Sequence, residues 1–219
     1  PGLLIPLTLR HQRPIQLAKK VHQTAGWLGV ITQKNPHVEE PGAKDIFQVG
    51  TMAKVLKVIT FPDGNTTIIL QGRQRFKVKA ILTEKPHLLA QVELLKDKAL
   101  NTTRKKTKAL LHSLREVASN ILSLSPEGPP EAQVVLNNIK DLDFLTYFLS
   151  ANIHVEMDKK QKLLEINNSN RRATLLLQYL LKDLELTQLK KEIQGKVHTD
   201  IEQHQREQYF RHQIRVLQE

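Results

Sequence analysis

The spacing of the apolar residues changes from one regular pattern to another near the middle of this chain. Before about residue 100, apolar and polar residues alternate, which is the period of a strand with one buried face. After about residue 110, apolar residues recur every three or four positions, which is the period of an amphipathic helix. The sequence therefore predicts an α+β chain, with a small, mostly antiparallel β half followed by an all-α bundle.

The β half is predicted to contain several short strands. Apolar runs at Trp27–Gln33 and Ile46–Thr60 are bounded by glycine, proline or asparagine, which suits strands. Asp63 and Gly64 separate the second run from Thr66–Gln71, and an Asp-Gly pair between apolar runs is a strong hairpin signal because both turn positions need φ > 0.

Apolar and polar residues continue to alternate after this hairpin. One predicted helix interrupts the strands of the β half. One face is predicted to carry apolar side chains and the other a basic row, with Phe76, Val78, Ala80 and Leu82 opposite Arg73, Arg75, Lys77 and Lys79. A last strand repeats the pattern at Leu88, Ala90, Val92 and Leu94. The helix is predicted over Pro14–Ala25, with one apolar face formed by Ile15, Ala18, Val21 and Ala25.

The α half is predicted to end in a very long helix. Its first helix carries an apolar stripe of Leu110, Leu111, Leu114, Val117, Ala118, Ile121 and Leu122. Asp141 and Asp158 are candidate caps for the next two helices. From about residue 170 to 219 only Gly195 interrupts the helical pattern, and the stretch His198–Arg206 keeps Ile201 as its one aliphatic residue. We expect this helix to project from the bundle as a strut.

Charge is distributed unevenly between the two halves. The formal net charge is +11, but residues 1–108 hold 19 Lys and Arg against 7 Asp and Glu, whereas the remainder is close to neutral. Such asymmetry is typical of two units with different surfaces. The change falls in the polar, basic stretch 101–108, which predicts a β-rich domain over residues 1–100 and a helical domain over residues 101–219.

The basic excess in the β half has two interpretations. The row on the strand, together with a second cluster after the junction, offers candidates for DNA, RNA or polyphosphate binding: Arg73, Arg75, Lys77, Lys79, Arg104, Lys105, Lys106 and Lys108. The alternative is a water-facing strand whose charges prevent edge pairing. We favour the alternative, because no aromatic residues for base stacking are interleaved with the row.

The chain contains no recognisable catalytic motif. It has no P-loop, no G-x-S-x-G turn and no H-E-x-x-H, and it lacks cysteine, which excludes thiolate metal sites. We therefore expect no catalytic residues, no metal site and no cofactor in this chain. No apolar run approaches the roughly 18 residues that span a bilayer, so no membrane partner is expected, and no signal peptide is visible.

Six segments resemble the ATP-dependent protease Lon family in order along the whole chain. They are Pro1–Leu7, Asp45–Val55, Phe61–Gly64, Gln71–Phe76 (a Gly-x-x-Arg strand), Gln161–Glu165 and Gln205–Ile214. The resemblance implies a PUA-like β pseudobarrel, an adjoining helical bundle and a long helix that leads into an ATPase module. It also implies that an ATPase, using ATP and Mg, and a Ser-Lys protease domain follow Glu219, and that a first strand precedes Pro1.

The family resemblance further implies recognition rather than chemistry. The region would help to select unfolded, damaged or degron-bearing proteins and would support a homohexamer, in the bacterial cytoplasm or alternatively in the mitochondrial matrix. Candidate substrate contacts are Leu3, Leu4, Ile5 and Trp27, if they are exposed; the alternative is that they pack in a core. Two other functions stay open: a stand-alone Lon-domain binding module, and a nucleic-acid or polyphosphate-binding domain.

Overall fold

The computed structural model describes residues 1–9, 11–38, 41–62, 65–97, 104–124 and 130–218. These residues form five strands: β1 (Leu4–Leu9), β2 (Leu28–Val30), β3 (Val49–Thr60), β4 (Thr66–Thr83) and β5 (Leu89–Leu94). They also form six helices: α1 (Gln12–Gln23), α2 (Arg104–Leu124), α3 (Pro130–Asn138), α4 (Leu142–Asn152), α5 (Met157–Glu165) and α6 (Ser169–Gln218). The predicted α+β arrangement is confirmed.

All strand pairs in the sheet are antiparallel, and β4 is its longest strand. The order is β1-β4-β3-β2, and β5 pairs with the far half of β4. Met52 pairs with Gln74 while Ala53 pairs with Gly72, so Arg73 is the extra residue of a β-bulge. Beyond Lys77, β4 is no longer paired with β3 and forms a two-stranded ribbon with β5. This ribbon leaves Leu82, Leu89, Val92 and Leu94 exposed.

Helix α1 covers one face of the sheet. Ala18 is buried against the apolar side chains of β3 and β4, which are Ala53, Val55, Ile68 and Leu70. Further along the sheet, Phe76 is buried where two glycines leave room for its ring. A Cβ on Gly29 would lie 3.1 Å from the Phe76 ring, and one on Gly50 would lie 2.9 Å from it.

The helical half has a separate apolar core. It is formed by the predicted stripe of α2, in which Leu114, Val117 and Ala118 are buried, together with side chains of α3 to α6. Asp141 caps α4 as predicted, since its Oδ1 accepts a hydrogen bond from the Phe144 amide at 2.7 Å. The N-terminal part of α6 completes the core with Ala173, Leu176 and Leu180.

Helix α6 is 50 residues long, which corresponds to about 75 Å. The predicted long helix is therefore confirmed. Beyond Leu184, which packs against the core, its apolar side chains are exposed at Leu186, Leu189, Ile193, Val197 and Ile201. Those residues are spaced three and four apart, so they share one face of the helix.

Several element predictions need correction. The first helix ends before Ala25, which is exposed and has φ of 50°, so it does not belong to the buried face. Glu156 rather than Asp158 is the N-cap of α5, with Asp158 inside the first turn. Only Leu28–Val30 of the run Trp27–Gln33 is a strand. Strand β1 and helix α3 were not predicted.

Two predictions fall outside the described residues. The turn at Asp63 and Gly64 is one, although the strands on either side pair as expected, with Thr60 opposite Thr66. The other is the proposed boundary between residues 100 and 101, which stays a prediction.

A side chain at Gly50 should destabilise the sheet. A Cβ there would lie 2.5 Å from the Val30 carbonyl oxygen and 2.9 Å from the Phe76 ring, so Gly50→Ala should cost about 1–3 kcal/mol of unfolding free energy. Gly195→Ala is the matched control, because its Cβ meets nothing within 4 Å and helix propensity favours alanine. Thermal denaturation measures both, and an unchanged Tm for Gly50→Ala would contradict this packing.

Candidate functional site

A polar cluster joins the sheet to the helical bundle. We call it the Asp97 clamp, and it consists of Arg75 from β4, Asp97 just after β5, Tyr147 from α4 and Arg172 from α6. One oxygen of Asp97, Oδ1, accepts hydrogen bonds from Arg75 Nη2 at 2.6 Å and from Arg172 Nη2. The other, Oδ2, accepts one from the Tyr147 hydroxyl at 3.0 Å. One carboxylate therefore bridges four segments of the chain.

The two arginines of the clamp also hold the turn between α5 and α6. Arg75 Nη1 donates to the carbonyl oxygen of Leu164 at 2.7 Å, and Arg172 Nη2 donates to that of Ile166 at 2.6 Å. The Arg172 guanidinium also lies over the Tyr147 ring, 4.6 Å from its centroid, which is a cation–π geometry. The carbonyl oxygens of this turn thus accept hydrogen bonds from side chains of the sheet and of α6.

Asp97 is charged at neutral pH. Burial alone would raise the pKa of its carboxyl, but the hydrogen bond and charge of Arg172 and the charge of Arg75 outweigh burial, so the pKa lies below its ordinary value. Burial raises the pKa of the Tyr147 phenol, which therefore stays neutral and donates its hydrogen bond. The guanidinium groups of Arg75 and Arg172 are almost fully buried, and Asp97 contacts both of them. A second carboxylate, that of Asp143, lies 3.7 Å from Arg172.

A cavity of about 260 Å³ lies beside the clamp, between the sheet and the bundle. Leu3 and Ile5 line it from the sheet side, Met157 and Leu164 from α5, and Arg172 from the clamp. The Arg172 Nη1 atom is buried and has no hydrogen-bond partner among the described residues. The cavity is therefore lined mainly by apolar side chains, together with the cationic side chains of Lys160 and Arg172.

The candidate substrate contacts lie in two places. Leu4 is 61% exposed and Ile5 46% exposed on β1, whereas Leu3 is half-buried and lines the cavity. Trp27 is 54% exposed and precedes β2, the opposite end of the strand order. Exposure leaves Leu4, Ile5 and Trp27 accessible to a partner, but the fold does not bring all four residues into one patch.

The predicted basic row is broken by the fold. Arg75 is 1% exposed and belongs to the clamp, so its placement on a solvent-facing row was wrong. Lys79 forms a salt bridge with Glu93 across the ribbon at 2.6 Å, and Arg73 and Lys77 are exposed. In the second cluster Lys105, Lys106 and Lys108 are exposed in the first turns of α2, and the side chain of Arg104 lies outside the described residues.

Sequence reasoning missed the clamp for a physical reason. Alternation indicated which side chains share a face of β4, but not that the bundle would cover the face that carries Arg75. Asp97 offered one signal, since it stands between Lys96 and Lys98 as the last acidic residue before the basic junction. The sequence around Tyr147 and Arg172 contained no signal for the clamp, because a polar residue in an amphipathic helix is normally solvated.

No metal-binding group is present in the part of the chain that the structure describes. Within those ranges, no three histidine, aspartate or glutamate side chains are placed to hold an ion. Among the described helices, none combines the length and the apolar character needed to cross a bilayer.

Comparison with protein-family models gives a match to the ATP-dependent protease La (LON) substrate-binding domain over residues 1–182. Among curated proteins, the Lon protease of Amoebophilus asiaticus is 48% identical and that of Cytophaga hutchinsonii 47% identical, each over all 219 residues. The chain spans 26% and 27% of those proteins, about a quarter of their length.

Solved structures show the same fold. A Lon N-terminal domain protein from Xanthomonas campestris matches with a TM-score of 0.57 at 18% identity, covering 81% of this chain and 89% of that one. The N-terminal domain of the Lon protease of the Mycobacterium avium complex matches with a TM-score of 0.59 at 20% identity, covering 82% and 90%.

Replacing the bridging carboxylate should loosen the clamp. Asp97→Asn removes the charge that both buried arginines contact, and the expected loss of stability is roughly 2–3 kcal/mol, the scale of hydrogen bonds to charged groups. Glu93→Gln is the control, because it removes an exposed carboxylate from a surface pair and should leave Tm nearly unchanged. Equal effects of the two substitutions in chemical denaturation would refute the bridging role.

The contribution of Asp97 should disappear in acid. Because its folded-state pKa lies below the ordinary value of 3.8, its stabilisation is complete above that pH and is lost as the pH falls through the folded-state pKa. The stability difference between the native chain and Asp97→Asn should therefore be large near about pH 7 and shrink towards about pH 2. Urea titrations at several pH values measure this difference, and a constant difference would contradict the assignment.

Proposed function

The chain belongs to the substrate-binding domain family of the ATP-dependent protease La (Lon), and from this premise we propose that it binds unfolded or damaged proteins for degradation. In this proposal the chain itself is non-catalytic. The observation that carries it is the exposed apolar surface of β1, where Leu4 and Ile5 stand in a strand without charged side chains, next to an apolar cavity. Exposed aliphatic side chains suit a ligand whose own apolar residues are not packed in a core.

The whole protein is proposed to be an ATP-dependent Ser-Lys endopeptidase that uses ATP and Mg. The name of the matched family and the names of the relatives support this proposal, and the chain spans about a quarter of the relatives' length. Helix α6 would then connect the recognition region to the ATPase module. Beyond Leu184, none of the α6 side chains that the structure describes belongs to the apolar core of the bundle, as expected for a connecting element. The bacterial relatives support a location in the bacterial cytoplasm.

Assembly into a hexamer would strengthen weak contacts. A few exposed aliphatic side chains give low affinity to any one copy, whereas several copies presented together raise the effective concentration of binding sites. This arrangement would retain unfolded chains, which offer many apolar segments, and release folded proteins, which offer few. A stand-alone binding module is less compatible with the long exposed part of α6, which would then have no role.

Nucleic-acid or polyphosphate binding is the weaker alternative. Arg75 is buried in the clamp, Lys79 forms a salt bridge with Glu93, and Lys77 lies opposite that same carboxylate. The positive charge that the strand row offers to a polyanion is therefore reduced. Binding by charge would weaken strongly with added salt. Binding through apolar side chains would not.

The 219-residue chain should bind a reduced and carboxymethylated protein, and should not bind the same protein in its native form. Fluorescence anisotropy of the labelled ligand measures this, and the affinity should change little between low and moderate salt. Trp27 is the only tryptophan, so with a tryptophan-free ligand its emission also reports whether that side chain is in contact. Equal affinity for native and unfolded ligand, or binding lost with salt, would contradict the proposed function.

A further inference from the structure

The sheet has one open face, which is the face opposite α1. Residues directly opposite each other in antiparallel strands point to the same side, so the register divides the side chains between two faces. Val55, Ile68 and Leu70 share the face that α1 covers, and all three are buried. The open face carries three side chains from each of β1, β3 and β4. We call it the outer face, and its members are Leu4, Pro6, Thr8, Lys54, Lys57, Ile59, Thr67, Ile69 and Gln71.

No member of the outer face is buried. Ile59 and Ile69 are only half-buried, although the residues beside them on β4, Ile68 and Leu70, belong to the core. The exposure of Ile69 does not depend on an edge of the sheet, because β4 lies between β1 and β3. The outer face is therefore a flat surface on which aliphatic side chains contact water.

The outer face carries positive charge and no negative charge. Lys54 lies opposite Gln71 and Lys57 lies opposite Ile69. Neither lysine has a salt-bridge partner among the residues that the structure describes. The three strands that form the face, β1, β3 and β4, contain no aspartate and no glutamate. The face therefore favours a ligand with carboxylates over a ligand with ammonium or guanidinium groups.

The cations and the aliphatic groups occupy different sides of the outer face. The lysines come from β3, whereas Leu4 and Pro6 come from β1, two strands and about 10 Å away. Ile69 of β4 lies between Lys57 and Pro6 in one row across the strands. A ligand that covers the face therefore meets positive charge on one side and aliphatic surface on the other.

We propose that the outer face binds unfolded segments that carry both aliphatic and acidic side chains, with the carboxylates at Lys54 and Lys57 and the aliphatic groups over Ile69. This inference rests on the proposed function and adds a substrate class to it. Burial of aliphatic groups supplies the affinity, and the lysines select acidic over basic segments. A nucleic acid fits less well, because the outer face has no aromatic member on which bases could stack.

The test compares three fluorescein-labelled peptides on the native chain. Each has about ten residues and the same leucine and valine positions, and its other positions are glutamate, glutamine or lysine. By fluorescence anisotropy at low salt, the glutamate peptide should bind about fivefold or more tighter than the lysine peptide, with the glutamine peptide between them. Added salt should narrow this preference and leave binding of the glutamine peptide in place. Equal affinity for the glutamate and lysine peptides would overturn the proposal.

Two charge-reversal variants locate the contact. Lys54→Glu combined with Lys57→Glu should invert the preference, so that the lysine peptide binds more tightly than the glutamate peptide. The matched control is Lys19→Glu combined with Lys20→Glu, which makes the same change of net charge at exposed positions of α1, on the other side of the sheet. The control should change the preference less than about twofold. Equal effects of the two double variants would assign the preference to net charge and overturn the proposal. Circular dichroism establishes that both keep the fold.

A third variant tests the aliphatic part of the contact. Ile69→Thr keeps a β-branched side chain, which suits a strand, and removes aliphatic surface from the centre of the outer face. It should weaken binding of all three peptides about threefold or more. Unchanged affinities, with the fold intact by circular dichroism, would show that the ligand does not cover Ile69 and would overturn the proposal.

The same measurements on a longer protein separate this inference from the proposed function. The family resemblance implies a strand before Pro1, and with that strand in place the same preference is expected. Loss of the preference there would show that another segment covers the outer face and would overturn the proposal, as would displacement of the glutamate peptide by an equal concentration of single-stranded DNA. In these cases binding of an unfolded protein would leave the proposed function standing. A native chain that binds neither the peptides nor an unfolded protein would instead refute the proposed function.

Discussion

The contact of one carboxylate with two buried guanidinium groups holds the sheet on the bundle. Arg75 and Arg172 are each 1% exposed, and without Asp97 two positive charges would lie in a poorly solvated interface. The clamp also fixes the turn before α6, because the same arginines bind the carbonyl oxygens of Leu164 and Ile166. The position of the sheet relative to the long helix therefore depends on a few polar contacts, supplemented by the hydrogen bond from Gln161 to the Val49 carbonyl oxygen.

The proposed binding surface on β1 depends on the clamp because the adjoining cavity lies between the elements that the clamp joins. Its walls come from the β1 side of the sheet and from α5, so their separation is set by how the sheet docks on the bundle. Arg172 belongs both to the clamp and to the cavity lining. The clamp, a polar cluster, thus shapes a largely apolar site, and the helix that carries Arg172 is about 75 Å long.

Features that depend on local spacing were predictable from the sequence, and features that depend on docking were not. The stripe of α2 and the cap at Asp141 were correct because each is decided within a few residues. The buried position of Arg75 was missed because alternation does not show which face a second domain covers. Val92 and Leu94 were predicted on the apolar face of the last strand, and they are exposed because β3 does not extend to the ribbon that carries them. Helix α3 was missed because a proline usually ends a helical pattern, whereas Pro130 occupies the first position of this helix. Within the candidate site, exposure of Leu4, Ile5 and Trp27 needed the structure, because an apolar run suits a core equally well.

Hydrogen exchange of the full chain with and without an unfolded, carboxymethylated protein tests the central claim most directly. If the exposed apolar surface of β1 binds the ligand, amides of β1 should exchange more slowly in the complex, because the ligand shields them from water. Amides of β5, which is not part of the proposed contact surface, should exchange at unchanged rates. Protection confined to other segments, with β1 unaffected while the ligand is bound, would contradict the account.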